Sequence, residues 1–294
     1  MVSHTSISRK IFVVCNYTFL MALSLLCVLP LVHIFAVSLS SGAAASAGVV
    51  KLWPVDFTTA AYENIFNKPQ YFTAFWVSVK RVLLGTSINL LLTITAAYPL
   101  SKDSSYFRAR TVYVWIFVIT ILFSGGLIPW FMTVKATGLM DTIWALILPS
   151  AVPVFNVILL LNFFRSLPKE LEESARMDGA GHMMILWKFY VPLSLPALAT
   201  ITLFSMVGHW NSWFDGLILM NNPDNYPMQT FLQTIIISKD PRFLSAQEAE
   251  LLLNMSDRTS NAAQIYVAAL PILLVYPFLQ RFFVKGIVMG SVKE

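Results

Sequence analysis

Six largely apolar stretches, at about residues 11–39, 73–100, 111–128, 142–164, 189–220 and 262–284, constrain this chain more than any other feature. Each is close to or above the roughly 20 residues a helix needs to cross about 30 Å of hydrocarbon. In lipid every backbone amide has to be satisfied within a helix or a closed barrel, and the alternating pattern of barrel strands is absent. The sequence therefore predicts an all-α, polytopic membrane protein with six transmembrane helices. Composition agrees, with 57% of the 294 residues hydrophobic and 12% charged.

The first stretch also raises a signal peptide, because "AAASA" at 43–47 offers a small-residue cleavage site. Its apolar run is about twice the length of a signal core, so a retained helix is expected. Orientation follows from the basic residues. Arg9 and Lys10, Lys102 to Arg110, Arg165 to Lys188, and Arg281 to Lys293 place 12 basic and 6 acidic residues on one face, leaving 8 basic and 9 acidic on the other. The positive face, carrying both termini, is expected in the cytoplasm. The organisation is then a cytoplasmic N-terminus at 1–10 and one transmembrane domain at 11–294. Outer loops lie at 40–71 and 221–261, and a polar cytoplasmic element at 166–188. The first outer loop holds "LWPVDFTTAAYENIF", an amphipathic stretch suited to the membrane interface, and the second holds the acidic "AQEAELL".

The net charge of +5 is scattered between apolar spans, so it reads as topology; membrane lipid is the expected surrounding and nucleic acid is not a partner. Cys15 and Cys27 both sit in the first apolar stretch as small hydrophobes, and no pair of histidines has zinc-ligand spacing. No metal site is expected. No G-x-x-x-x-G-K-[ST] occurs and no glycine is followed by lysine, so the chain has no phosphate-cradling loop of its own.

Against this background "EESARMDGAG", residues 172–181, stands out as a charged decapeptide between two greasy segments. Pro168 can open a helix, Glu170, Glu172 and Glu173 complement the positive end of its dipole, and Gly179 is where it would stop. Such a helix is expected to expose Ala175 and Met177 beside charges, which suits docking into a groove on a soluble partner. An ordinary capped polar loop fits the same residues.

From Glu173 the chain reads E-S-A, three residues, Gly179, nine residues, then Phe189-Tyr190-Val191-Pro192. This resembles the E-A-A-x3-G-x9-I-x-L-P signature of the membrane subunits of bacterial ABC importers. Ser174, Phe189 and Val191 depart in identity but keep size and apolar character. "LEESARMDGA", the prolines of "VPLSLP" and "GHWNSWFDGLI…NNPDNYPMQTFLQ" extend the resemblance over most of the chain, towards the second of the two unequal permease subunits in the carbohydrate-uptake branch. The resemblance implies a coupling helix carried by Glu172, Glu173, Ala175, Asp178, Gly179 and Ala180. It also implies a second homologous permease subunit forming a heterodimer, two ATP-binding subunits that hold ATP and magnesium, and a periplasmic or extracellular sugar-binding protein. The setting is the bacterial inner membrane, this chain carrying no cofactor and catalysing no reaction. An oligosaccharide is the implied substrate, an alginate-like chain being one candidate.

"GHWNSWFDG" at 208–216 offers the groups that bind neutral sugars, aromatic faces and hydrogen-bonding side chains: Trp210, Asn211, Trp213 and Asp215. Polar groups at membrane depth default to a functional role. Asn156 and Asn162 are weaker candidates, since a buried Asn also bonds neighbouring helices. Pro153, Pro192, Pro196, Pro271 and Pro277 free backbone carbonyls in the last three helices, as pathway-lining helices do. Lys80 and Arg81, near the outer start of helix two, are expected to snorkel towards the headgroups. An importer of a non-sugar solute is the alternative within transport. A membrane-embedded glycosyltransferase would need acids or histidines clustered at one face, and Asp215 and Asp224 are read as too isolated for that. A secondary transporter would show two homologous halves or a proton-relay carboxylate within a span, and neither is evident.

Overall fold

In the computed structural model, residues 7–67, 69–238 and 257–291 are described, and their regular structure is all helical, with no strand among them. Three helices are long and apolar enough to cross a membrane, and the number rises to six if each of three bent pairs is one span. The second outer loop's "AQEAELL" and the extreme termini lie outside the described residues.

The chain forms two compact units. The first contains α1 (Ile7–Ser38), α2 (Gly42–Ser46), α3 (Ala60–Phe66) and the beginning of α15 (Asp257–Ser291). The "AAASA" tract is not a loose cleavage site but most of α2. The Ser41 side chain caps it by accepting from the Ala44 amide, and Ala44 packs with Ala36 and Val50. Phe35 lies against Tyr266 with ring centroids 4.7 Å apart, and Tyr62 and Ser38 share a 2.7 Å hydrogen bond. The stretch expected to be one amphipathic segment is helical only over α3.

The second unit holds the remainder. It comprises α4 (Pro69–Ser101), α5 (Arg110–Leu122), α6 (Leu127–Ala136), α7 (Ile143–Ile147, continued by a 3-10 turn over Leu148–Ser150) and α8 (Val154–Ser166). It goes on through α9 (Lys169–Met177), α10 (His182–Ile185), α11 (Val191–Leu193), α12 (Leu195–Asn211), α13 (Phe214–Leu219), α14 (Met228–Ser238) as far as Thr234, and the part of α15 from Pro271 on.

The apolar stretches are where the sequence puts them, but three of the six are broken rather than straight. The third turns by 116° between α5 and α6, where Gly126 adopts φ +86°. The fourth bends by 48° just before Pro153. The fifth bends by 82° at Ser194, between Pro192 and Pro196. Each proline removes an amide donor and clashes with the preceding turn, so the helix ends and restarts. The same segment widens into a π turn across Leu186–Tyr190, and its helix stops at Asn211 rather than running to residue 220. Pro271 and Pro277, by contrast, are carried inside α15.

Among the described residues of this unit a large apolar cluster gathers α4, α8, α9, α10, the π turn and α12, through Ile94, Ala97, Leu160, Phe164, Ala175, Ile185 and Ile201. It includes a residue of α9. That short polar helix is therefore part of the packed body rather than a loop hanging from it.

Candidate functional site

The decapeptide forms α9 and its stop signal. At the C-terminus the Ala180 amide donates to Ala175 O at 2.9 Å and the Gly179 amide to Arg176 O at 3.0 Å, the paired bonds of a Schellman ending. Gly179 has φ +81°, a conformation that costs any residue with a Cβ. Ala175 and Ala180 both touch the main apolar cluster, supplying the hydrophobic contact that accompanies this ending.

Helical register divides the predicted coupling residues into two faces. Ala175, expected to be exposed, is only 4% exposed and packs inward. Glu172 also turns inward, one turn from Ala175 on the same side. Its Oε2 accepts from Lys102 Nζ and from the Tyr190 hydroxyl, both at 2.6 Å, and its Oε1 accepts from Arg176 Nη2 at 2.9 Å and Nε at 3.2 Å. The Lys102 ammonium sits 4.0 and 4.1 Å from the ring centroids of Tyr98 and Tyr190. Burial pushes the Glu172 carboxyl up, but the bonds from Lys102, Tyr190 and Arg176 together outweigh it and hold the pKa at about 2. The residue is thus a charged anchor at physiological pH. On the opposite side Glu173, Asp178 and Met177 face out, Met177 being 88% exposed.

Sequence reasoning finds α9 but misses its socket. Tyr190 occupies the unspecified position of the motif, and Lys102 lies seventy residues earlier as an apparent topology charge. The available signal was an excess of lysine and tyrosine at span ends facing a glutamate-rich helix.

A second polar centre lies between α4, α7, α8 and the α12–α13 junction. Arg81 does not reach outward. It is 2% exposed and forms a forked ion pair with Asp215, with Nη1 to Oδ1 at 3.2 Å; it also donates to Ser212 O and Leu146 O at 3.3 Å each. Asp215 Oδ1 accepts in addition from Ser212 Oγ at 2.8 Å and from the Gly216 amide at 2.9 Å. Desolvation explains the departure from snorkelling: a carboxylate inside the same unit pairs with the guanidinium and makes its burial tolerable, although Arg81 Nε finds no hydrogen-bond partner. Two opposite charges, one within the second apolar stretch and one within the fifth, were the clue.

Alongside, the Asn89 amide is oriented so that Nδ2 donates to Gly85 O at 3.0 Å and Ala151 O at 3.2 Å while Oδ1 accepts from His209 Nε2 at 3.2 Å. Asn156 Nδ2 donates to Ser205 Oγ at 3.2 Å. These groups line one cavity of about 340 Å³ with Ser150, Pro153, Phe204 and Gly208.

Of the predicted pathway residues, Asn156 and Asp215 thus meet at this cavity, but Asp215 is neither isolated nor free. Trp210 points elsewhere, edge-on to Phe75 at 6.0 Å, and lines a separate apolar cavity of about 200 Å³ with Val79, Leu203 and Pro271. Asn211 and Trp213 are exposed and line neither cavity, and Asn162 is exposed on α8. The correction is one of helical phase: Trp210 and Asn211 are neighbours in sequence, about 100° apart around α12, so one helix cannot aim both at one cavity. Among the described residues no cluster of His, Cys, Asp or Glu could hold a metal ion.

Comparison with known proteins bears on this arrangement. The family model described as the binding-protein-dependent transport system inner membrane component matches residues 2–289. Protein LplC of Bacillus subtilis (strain 168) is 39% identical over 292 residues, 99% of this chain and 97% of its own length. The polygalacturonan/rhamnogalacturonan transport system permease protein YtcP of the same organism is 39% identical over 285 residues, 97% of this chain and 99% of its own. A crystal structure of a bacterial ABC transporter involved in the import of the acidic polysaccharide alginate contains a similar chain, with 35% identity and a TM-score of 0.84. That match covers 95% of this chain and 98% of the other.

Proposed function

The chain belongs to the family of binding-protein-dependent transport system inner membrane components, and on that premise we propose that it forms half of the translocation pathway of an ATP-driven oligosaccharide importer. It is a permease subunit and not an enzyme, as its relatives are. The reading assigns it a second, homologous permease as partner in a heterodimer, two ATP-binding subunits that carry ATP and magnesium, and an external sugar-binding protein. It also places the chain in a bacterial inner membrane with both termini and α9 in the cytoplasm. Relatives that transport polygalacturonan/rhamnogalacturonan or alginate support a polysaccharide-derived oligosaccharide as cargo.

The observation that carries the reading is the two-faced construction of α9. A helix that takes up force from a soluble subunit needs an outer face to be gripped and an inner face that cannot slip. Glu173, Met177 and Asp178 supply the first, and Glu172 with Ala175 supplies the second. Closing of the ATP-binding pair moves α9, and the move passes through Glu172 to Lys102 at the end of α4 and to Tyr190 in the π turn. From there α12 leads to the Arg81–Asp215 centre and its cavity, where inward- and outward-open states differ in population. Asn156 and Asp215 are the predicted pathway residues in position to meet a sugar hydroxyl; Trp210, Asn211 and Trp213 are not at that cavity.

Purifying the tagged chain in mild detergent from its own membrane, as wild type, Glu173→Ala and Met177→Asp, tests this. Wild type should bring down an ATP-binding subunit and a second permease, and the variants should lose the ATPase or its stimulation by sugar-loaded binding protein. A wild-type chain that purifies alone, or outer-face variants that retain full stimulation, overturns the proposal.

A further inference from the structure

Where α4, α5 and α8 end together, two arginines converge on one carbonyl. Arg110 Nε donates to Leu100 O at 2.9 Å, and Arg165 Nη2 donates to the same oxygen at 3.4 Å. Both line a cavity of about 380 Å³ that also holds Lys102. The other cations there have carboxylate partners: Lys102 and Arg176 pair with Glu172, and Lys169 with Asp103. Arg110 and Arg165 form no ion pair among the described residues. Asp103, Glu172 and Glu173 line the same cavity, but five cations outnumber these three carboxylates there, and a carbonyl shared by two guanidinium groups fixes their positions without neutralising them, so Arg110 and Arg165 leave the cavity with an excess of positive charge for an anion.

The adjoining surface says what kind of anion. From Arg110 the helix α5 runs away with Val112, Trp115, Ile116 and Ile119 exposed at helical spacing, and none of its residues is buried. An apolar stripe that starts beside a paired-arginine pocket at the end of a membrane span has the two halves of a phospholipid: phosphate below, acyl chains along the helix.

We propose that Arg110 and Arg165 bind the phosphate of an anionic phospholipid whose acyl chains lie along α5. Because Lys102 belongs both to this cavity and to the Glu172 anchor, the lipid sits against the socket of α9. The inference rests on α5 being within a membrane and not on the identity of the cargo.

Native mass spectrometry of the full-length chain with its copurifying subunits, titrated with dioleoyl phosphatidylglycerol, tests it. Wild type should retain the lipid, and Arg110→Gln with Arg165→Gln should bind about thirtyfold more weakly, each charge near a membrane surface being worth about a factor of five. The single variants should lose about fivefold each and show that the effect is not collapse of the fold, with Arg108→Gln, outside the cavity, binding as wild type. Dioleoylglycerol should not bind and inorganic phosphate at millimolar levels should not displace the lipid. Equal binding by the double variant overturns the proposal, as does equal retention of dioleoylglycerol, which would leave only a greasy face. Displacement by inorganic phosphate would make the pocket a free-anion site and overturn the lipid assignment.

Discussion

Replacing Glu172 by Gln keeps the shape of the side chain and removes its charge, so it isolates what the anchor contributes. The carboxyl sits at about 2 in the folded chain against an ordinary 4.5. At 1.36 kcal/mol per tenfold change that displacement corresponds to about 3 kcal/mol, and partial solvent access around the pair reduces it to about 2 kcal/mol. Since the folded pKa lies below the unfolded one, this stability is fully present above pH 4.5 and is lost as the pH falls towards 2. At neutral pH, Glu172→Gln also leaves the Lys102 ammonium, 9% exposed, between Tyr98 and Tyr190 without its counter-charge. Hydrogen exchange of the amides in Lys169–Met177 reads the result. If α9 opens locally, a loss of about 2 kcal/mol raises exchange there about thirtyfold while the core of α4 stays protected. A second variant, Glu172→Leu with Lys102→Met, removes both buried charges and should recover most of the protection. Unchanged exchange in Glu172→Gln, or a double variant that opens as freely as the single one, refutes the argument that the ion pair holds the helix.

The Arg81–Asp215 fork is more deeply buried, so Asp215→Asn should lower stability in detergent by about 3–5 kcal/mol, read as a fall in melting temperature, and Arg81→Met with Asp215→Leu should fall less. Gly85→Ala would place a Cβ 2.5 Å from His209 Nε2, so it should destabilise the chain and be partly rescued by His209→Ala in the same melting assay. At Gly179 nothing lies within 4 Å of where a Cβ would stand, so Gly179→Ala should cost only the left-handed backbone, about 1–2 kcal/mol, with Gly179→Asn milder, measured by exchange in α9. Asp141 accepts from the amides of Asn221 and Asn222 and from Asn225 Nδ2, bonds that hold its carboxyl below the ordinary range. The turn over 221–225 should therefore stay ordered above pH 3.8 and loosen as the pH falls further, seen as faster exchange of the Asn221 and Asn222 amides.

What the sequence makes legible is whatever depends on local composition: apolar length, the absence of strands, and a short capped helix ending at Gly179. The family signature adds the expectation that this helix matters. What it hides is phase and partnership. Glu172 and Glu173 are adjacent identical residues, and only the inward packing of Ala175 decides which of them is an anchor. Arg81 resembles a snorkelling cation because its counter-charge lies 134 residues away. The kinks at Gly126, Pro153 and Ser194 fall inside apolar stretches that hydropathy averages into straight spans. Trp210 has the chemistry of a sugar-binding side chain, but about 100° of helical rotation separates it from Asn211, so chemistry without phase could not select the cavity-lining residue.

Both buried charge centres hang from α4. Lys102 follows its last residue and Arg81 lies twenty-one residues earlier, which at 1.5 Å per residue separates them by about 32 Å, the thickness of a hydrocarbon core. One helix long enough to span the membrane therefore leads from an ion pair just past its last residue, Lys102 with Glu172 of α9, to another in its first half, Arg81 with Asp215 of α13. The other route between the centres, through Tyr190 and α12, is interrupted by the 82° bend at Ser194. One connection is a continuous helix and the other is bent. In the importer proposed above, bending at Ser194 would let a movement of α9 change the angle between α4 and α12 instead of shifting the Asp215 end as a block. The cavity between them is lined by Arg81 and Asn89 from one helix and Ser205, Gly208 and His209 from the other. A change in that angle alters its width, which is the geometric quantity an alternating-access pathway has to vary.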